Sequence, residues 1–209
     1  MNETTPDYHR LSYALATARE LLQDLPNHQI RDELDELKLK SYILLQHAAI
    51  EEYLEQVSVF ALRECKNAYI AESVIGEPLV AVCAHYNVKA LDHYSSTTNT
   101  FKASDIFVVL FERAINAHVT ALAGIHGIKT KDQDAILNPL GIRIHDFDHL
   151  LSQRLNSLGE LRGQMAHRFG MRVVAPKIAV LKDTEMMLQL LLAFDNEICR
   201  KVKTSYQAI

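Results

Sequence analysis

At 209 residues and 48% hydrophobic content, the chain suits one domain with a sizeable core, or one domain with a helical appendage. Its net charge of −4 excludes a generally basic nucleic-acid binder, and no apolar run approaches the roughly 18 residues of a membrane span. The polar start M-N-E-T-T-P-D is unlike a secretory signal or transit peptide, and three scattered cysteines (Cys65, Cys83, Cys199) fit neither a disulfide framework nor a zinc pattern, so a cytoplasmic protein is expected.

Taken in order, the residues predict helices almost throughout. Pro6 to Leu25 carries Leu11, Leu15, Ala18 and Leu22 at helical spacing and stops at Pro26. A long helix follows from about Gln29 to Ala71, charged at first and apolar from Tyr42 to Leu62. Gly76 and Pro78 mark a break before a helix to His93. After the loop Ser95–Thr100, Ser104 caps an apolar helix from Asp105 to His126 that Gly127 ends. Ile128 to Arg143 reads as a connector, and Ile144 to Arg168 as one amphipathic helix. Gly170 to Leu181 reads as irregular, with V-V-A-P-K-I-A-V able to hide a short strand. The last helix is expected from an Asp183–Thr184 cap to Tyr206. There is no βαβ alternation and no Gly-rich phosphate loop, so an all-α bundle with long core helices is expected. The division is residues 1–28 as an N-terminal helical appendage and 29–209 as the helical domain.

The helix ending in G-E-L-R-G-Q-M-A-H-R-F-G carries a stripe of small residues, Gly159, Gly163, Ala166 and Gly170, at offsets of four, three and four. A glycine inside a helix costs roughly 1 kcal/mol relative to alanine, so the stripe calls for another backbone at close range. A homodimer seam of Gly159, Gly163 and Ala166 meets that need. Arg162 and His167 flank the stripe, each roughly 70° from its centre at about 3.6 residues per turn. Arg162 offers a planar fork of donors to a phosphate, and His167 can move a proton near neutrality. Taken alone, the same pair also suits a surface arginine and a histidine interacting with the helix C-terminus. Between Gly141 and Lys177 six cations stand against three acids, a local +3 that leaves −7 for the remainder. Arg154, Arg168 and Arg172 in that zone are candidate phosphate contacts.

The motif R-G-Q-M-A-H resembles the R-x(4–6)-H signature of HEPN domains, and S-Y-I-L-L-Q-H-A-A-I-E-E-Y-L-E (Ser41 to Glu55) is similar to the first core helix of the RiboL-PSP subgroup. The resemblance implies an all-α HEPN-like bundle and a metal-independent endoribonuclease acting as a homodimer on RNA, with Arg162 and His167 catalytic and no cofactor. It also implies a setting in stress response or phage defence, with an antitoxin or another defence-system protein as partner. The alternative is a catalytically inactive HEPN-fold module for dimerisation or RNA binding. Gly163 stands where the family usually has Asn, Asp or His. Phe169 stands where one toxin branch carries a modified tyrosine, so that mode of control is not expected.

Other clusters were weighed for chemistry. His47, Glu51 and Glu55 share one helix face, but the Glu-x-x-His repeats of di-metal bundles are missing. The acidic cluster reads either as a solvated face or as a source of support for Arg162, with Glu52 the candidate. His145 and His149 flank D-F-D at a spacing of four, but the segment lacks the Glu of a metalloprotease motif and no cysteine lies nearby, so no metal site is expected. Ser95, Ser96 and Thr97 lack a glycine elbow and a histidine partner.

Overall fold

The computed structural model describes residues 4–89, 103–167 and 175–204, and at 103, 104, 166, 167 and 204 it fixes the backbone alone. Eight α-helices lie among these residues: α1 (Pro6–Arg19), α2 (Glu33–Glu72), α3 (Glu77–His85), α4 (Ala103–Leu122), α5 (Thr130–Leu137), α6 (Ile144–Phe147), α7 (His149–His167) and α8 (Lys177–Thr204). There is no strand among the described residues. The fold is all-α, as expected.

Most of the fold packs on α2. Its 40 residues span about 60 Å at 1.5 Å per residue. Asp32 caps it, accepting the Asp35 amide at 2.8 Å, and Arg31 reaches back to the Asp35 carboxylate at 2.7 Å. Ser73, at φ 59°, closes its far end in the left-handed conformation. Leu39, Tyr42, Ile50, Leu54, Val57, Leu62 and Cys65 form its buried spine. Around it stand α1, α3, α4, α5, α7 and α8.

One buried carboxylate joins three helices. Asp195 of α8 accepts from the Thr5 amide (2.7 Å), the Thr5 hydroxyl (2.6 Å) and the Tyr53 hydroxyl (3.0 Å). Thr5 in turn caps α1, its Oγ1 accepting the Tyr8 amide at 3.1 Å. The start of α1 is thereby bound to α8 and α2. Leu11, Leu15 and Leu22 complete the attachment from within the core.

A second buried polar network lies where α2, α3 and α4 meet. The Ser58 hydroxyl donates to the Glu55 carbonyl at 2.7 Å, so its oxygen accepts from His118 Nε2 at 2.9 Å. That leaves His118 Nδ1 to accept from the Tyr86 hydroxyl at 3.2 Å. Every polar side-chain atom of the network is paired, and the imidazole is neutral because burial pushes its pKa down to about 4. The Ser58–His118 pair is fully buried and holds the helices together.

Several boundaries differ from the sequence reading, each for a local reason. The connector from Ile128 to Arg143 contains α5 and a 3-10 turn, Asn138–Leu140, closed by Gly141 at φ 72°. Asp132 caps α5 by accepting the Lys129 amide at 3.2 Å. The expected single helix from Ile144 breaks at Asp148, whose extended backbone lets its carboxylate accept the Leu151 amide at 3.1 Å and start α7 afresh. The last helix begins at Lys177, seven residues before the expected cap. Thr184 is buried within it, donating to the Val180 carbonyl (2.9 Å) and accepting from Tyr42 (3.1 Å). Residues 177–180 of the suspected strand are therefore helical. The helix expected to reach His93 ends at His85, and α4 ends at Leu122 rather than His126. Ser95–Thr97, Arg168, Gly170 and Arg172 lie outside the described residues.

Candidate functional site

The segment joining α4 to α5 is pinned against α7 and sets the geometry around Arg162. The Gln133 side chain is buried and donates to the carbonyls of Ile128 (2.9 Å) and Ser152 (3.1 Å), while its own oxygen accepts from Ser152 Oγ at 2.8 Å. Asn156 Oδ1 accepts from the Thr130 amide at 3.2 Å. Gly159 then meets the same segment: a Cβ there would lie 2.9 Å from Lys129 Cγ and 3.3 Å from the Lys129 amide nitrogen. The close approach expected of Gly159 is real, but the neighbouring backbone is the chain's own. Gly159 is buried inside one protomer, which removes it from the expected dimer seam.

Gly163, one turn on, is the opposite case. A Cβ there would meet nothing within 4 Å. Among the described residues nothing covers its side of α7, and none of their contacts explains the glycine. Ala166 continues that side one turn further by helical spacing. The side chains of Ala166 and His167 are not among those described.

Arg162 is exposed and acts electrostatically on α2. Its charge adds to burial in pushing the His47 pKa down to about 4, so the buried His47 is neutral at physiological pH. His47 Nδ1 lies 3.4 Å from Glu51 Oε2, a contact between a neutral ring and a carboxyl group. Burial raises the Glu51 pKa, opposed by Arg162, by the Gly127 amide that donates to the carboxylate, and by His126. Glu55 is raised by burial and by Glu51 beside it. Gly127 is needed here: a Cβ would fall 2.6 Å from Asp132 Oδ2. Arg162 of α7 thus acts electrostatically on His47 and Glu51 of α2, and Glu51 also feels the His126–Gly127 turn, Asp132 and its neighbour Glu55.

Three residues of the expected site and its basic zone make other contacts. Glu52, the expected support, lies about 100° around α2 from Glu51 and lines the groove toward α1 with Arg10 and Ala14. Glu51 is the carboxylate on which the Arg162 charge acts. Arg154 forms an ion pair with Asp183 of α8. Lys177, counted in the basic zone, donates to the Leu25 carbonyl at 2.9 Å and closes the end of the N-terminal helical segment. Two site residues went unread in the sequence as partners of the motif, Glu51 and His126. The spacing of His47, Glu51 and Glu55 did place them on one face, but only the crossing of α2 and α7 shows what that face meets.

His145 and His149 approach each other, with their Nδ1 atoms 3.0 Å apart and His149 Nε2 at 2.6 Å from the Gln153 amide. Among the described residues no group of three or more His, Cys, Asp or Glu is arranged to hold a metal ion. No helix of the described residues is long and apolar enough to cross a membrane.

No curated protein and no solved structure matches this chain. The family model described as RiboL-PSP-HEPN matches residues 13–200. That span runs from within α1 into α8 and takes in the central helix and Arg162 and His167 of the motif. With nine-tenths of its length matched and an all-α architecture to go with it, the chain belongs to the RiboL-PSP-HEPN family.

Proposed function

We propose that this protein is an endoribonuclease of HEPN type that acts as a homodimer and needs no metal ion. The observation that carries the reading is the open side of α7 at Gly163, bordered by an exposed Arg162 on the helix that also carries His167. Two chains meeting along Gly163 and Ala166 bring two Arg–His pairs to one cleft, since a two-fold contact repeats every residue.

The chemistry requires few groups. The RNA 2′-hydroxyl attacks the adjacent phosphorus, forming a 2′-O–P bond as the P–O5′ bond breaks. The 2′-hydroxyl proton passes to a base, and O5′ leaves with a proton. Arg162 stabilises the charge that develops on the phosphate oxygens, and His167 handles a proton transfer. Arg168 and Arg172 extend the contact along the RNA backbone. An RNA-cleaving role in stress response or phage defence, held in check by a partner protein, is the setting that suits such an enzyme.

A second reading, an inactive module for dimerisation or RNA binding, is favoured by Gly163 itself, which supplies no polar group where the family usually has one. End-group analysis separates the two. The enzyme leaves a 2′,3′-cyclic phosphate, or the 3′-phosphate derived from it, and a 5′-hydroxyl. Arg162→Lys keeps the charge and loses the fork, and lowers the rate at least tenfold. Fragments bearing a 5′-phosphate, or no fragments above the Arg162→Lys background, contradict the proposal.

A further inference from the structure

An apolar groove away from the Arg162 site stands open between two helices. Between α1 and α2 runs an open groove of about 770 Å³, walled by Tyr13, Ala14 and Leu21 on one side and Leu45, Ala48 and Ala49 on the other. Tyr13 is 75% exposed and Leu45 47%. The apolar surface continues along α2 beyond the groove, where Leu34, Leu37 and Leu44 are also exposed. At about 100° per residue, Leu34, Leu37, Leu44 and Leu45 fall within an arc of roughly 100°. Soluble proteins seldom leave a continuous apolar stripe of this kind without a use for it.

The dimensions suit a helix. The α1 wall runs from Tyr13 to Leu21, about 12 Å or two turns, which matches anchors at i, i+3 or i+4, and i+7 of an incoming amphipathic helix. The small side chains of Ala14, Ala48 and Ala49 in the two walls leave room for bulky side chains from the partner.

Charge decides which helix. Both charged residues that line this wide stretch of the groove are carboxylates, Glu20 and Glu52, and both are exposed; Asp7 and Arg10 line only the smaller pocket beside it. The neighbouring cations Arg10 and Arg19 are taken up by Asp7 and Glu185. Residues 4–56 hold ten carboxylates against five Lys and Arg, a local −5 in a chain whose net charge is −4. A second copy of this chain would bring two such faces together, and an anionic membrane would be repelled. We infer that the α1–α2 groove docks an amphipathic helix of a different protein, apolar on one face and flanked by lysine or arginine.

The test uses the full chain and a designed 18-residue helical probe with leucine at i, i+3, i+4, i+7 and i+11 and lysine on its flanks, beside a twin with glutamate for lysine. Fluorescence anisotropy at low salt is expected to show the lysine probe binding at least tenfold more tightly than its twin. Tyr13→Ser with Leu45→Ser is expected to weaken that binding at least fivefold, and Glu20→Gln with Glu52→Gln to weaken it and flatten its salt dependence. These side chains are exposed, and circular dichroism checks that the helices remain. Methyl chemical shifts of wild-type Leu21 and Leu45 give an independent reading and are expected to move on adding the lysine probe. Equal binding of the two probes, binding untouched by the groove substitutions, shifts confined to other surfaces, or a self-associated species that Leu45→Ser dissolves would each overturn the inference.

Discussion

Two glycines four residues apart on α7 give opposite predictions for the same substitution. In a helix interior, glycine to alanine is worth about 1 kcal/mol in favour of alanine. At Gly163 no described residue opposes that gain, because the new methyl meets none of their atoms within 4 Å. Gly163→Ala should stabilise a protomer by about 0.5–1 kcal/mol, which for a chain of this size raises Tm by roughly 2–4 °C per kcal/mol. At Gly159 the methyl arrives 2.9 Å from Lys129 Cγ and 3.3 Å from the Lys129 amide nitrogen. The Lys129 stem can swing, but its backbone is held by the α5 cap and by Thr130 on Asn156. Overpacking costs typically 1–3 kcal/mol, so Gly159→Ala should lose about 1 kcal/mol net and stand about 2 kcal/mol below Gly163→Ala. Urea unfolding of both variants, at concentrations low enough to keep protomers apart, measures the difference. Equal stabilities, or Gly159→Ala the more stable of the two, would refute the packing of α7 on the α4–α5 segment.

Three further outcomes follow from the same reasoning. Asp195→Ala strands three buried donors, at roughly 1–3 kcal/mol for each left unpaired, and with some relief from fraying at Thr5 should cost about 3 kcal/mol by urea unfolding; a loss under about 1 kcal/mol would contradict the three-helix junction. His47 and His118 have folded pKa values depressed to about 4, so the unfolded chain binds protons that the fold refuses. Stability is therefore full above about pH 6.5 and falls toward pH 4 by up to about 1.4 kcal/mol per pH unit for each histidine. His118→Gln should make that slope shallower, and an unchanged slope would count against a neutral buried His118. Removing a charge tests the site without an activity assay: in Arg162→Met the His47 pKa, followed by NMR, should rise yet stay below 6.5 because burial is the larger cause. No movement would mean that Arg162 does not face α2.

Much of the fold can be read in the residues because its helices are long and strongly patterned. The apolar spine from Tyr42 to Leu62 and the α8 series Met187, Leu191, Phe194 and Ile198 are buried where helical spacing puts them. Short elements escape the same reasoning. T-K-D-Q-D-A-I-L has only one turn's worth of core residues, and Pro139 and Gly141 beside it signal a loop, so α5 stays hidden. Thr184 imitates a cap because its hydroxyl serves a tertiary partner, Tyr42, that lies 142 positions away in the chain. At the site, Arg162 stands out by motif, whereas Glu51 is singled out from Glu52 only by which side of α2 meets α7. Gly159 and Gly163 look alike in the sequence, and their difference depends on where Lys129 comes to rest.

Cleavage of total RNA in excess chelator by the wild type beside His167→Ala, from preparations checked for contaminating nucleases, tests the central claim most directly. The wild type should cut with chelator present, and His167→Ala should stay folded and still bind RNA without cutting it. Equal cutting by both proteins, or wild-type activity abolished by chelator and restored by magnesium, would contradict a metal-independent Arg162–His167 ribonuclease.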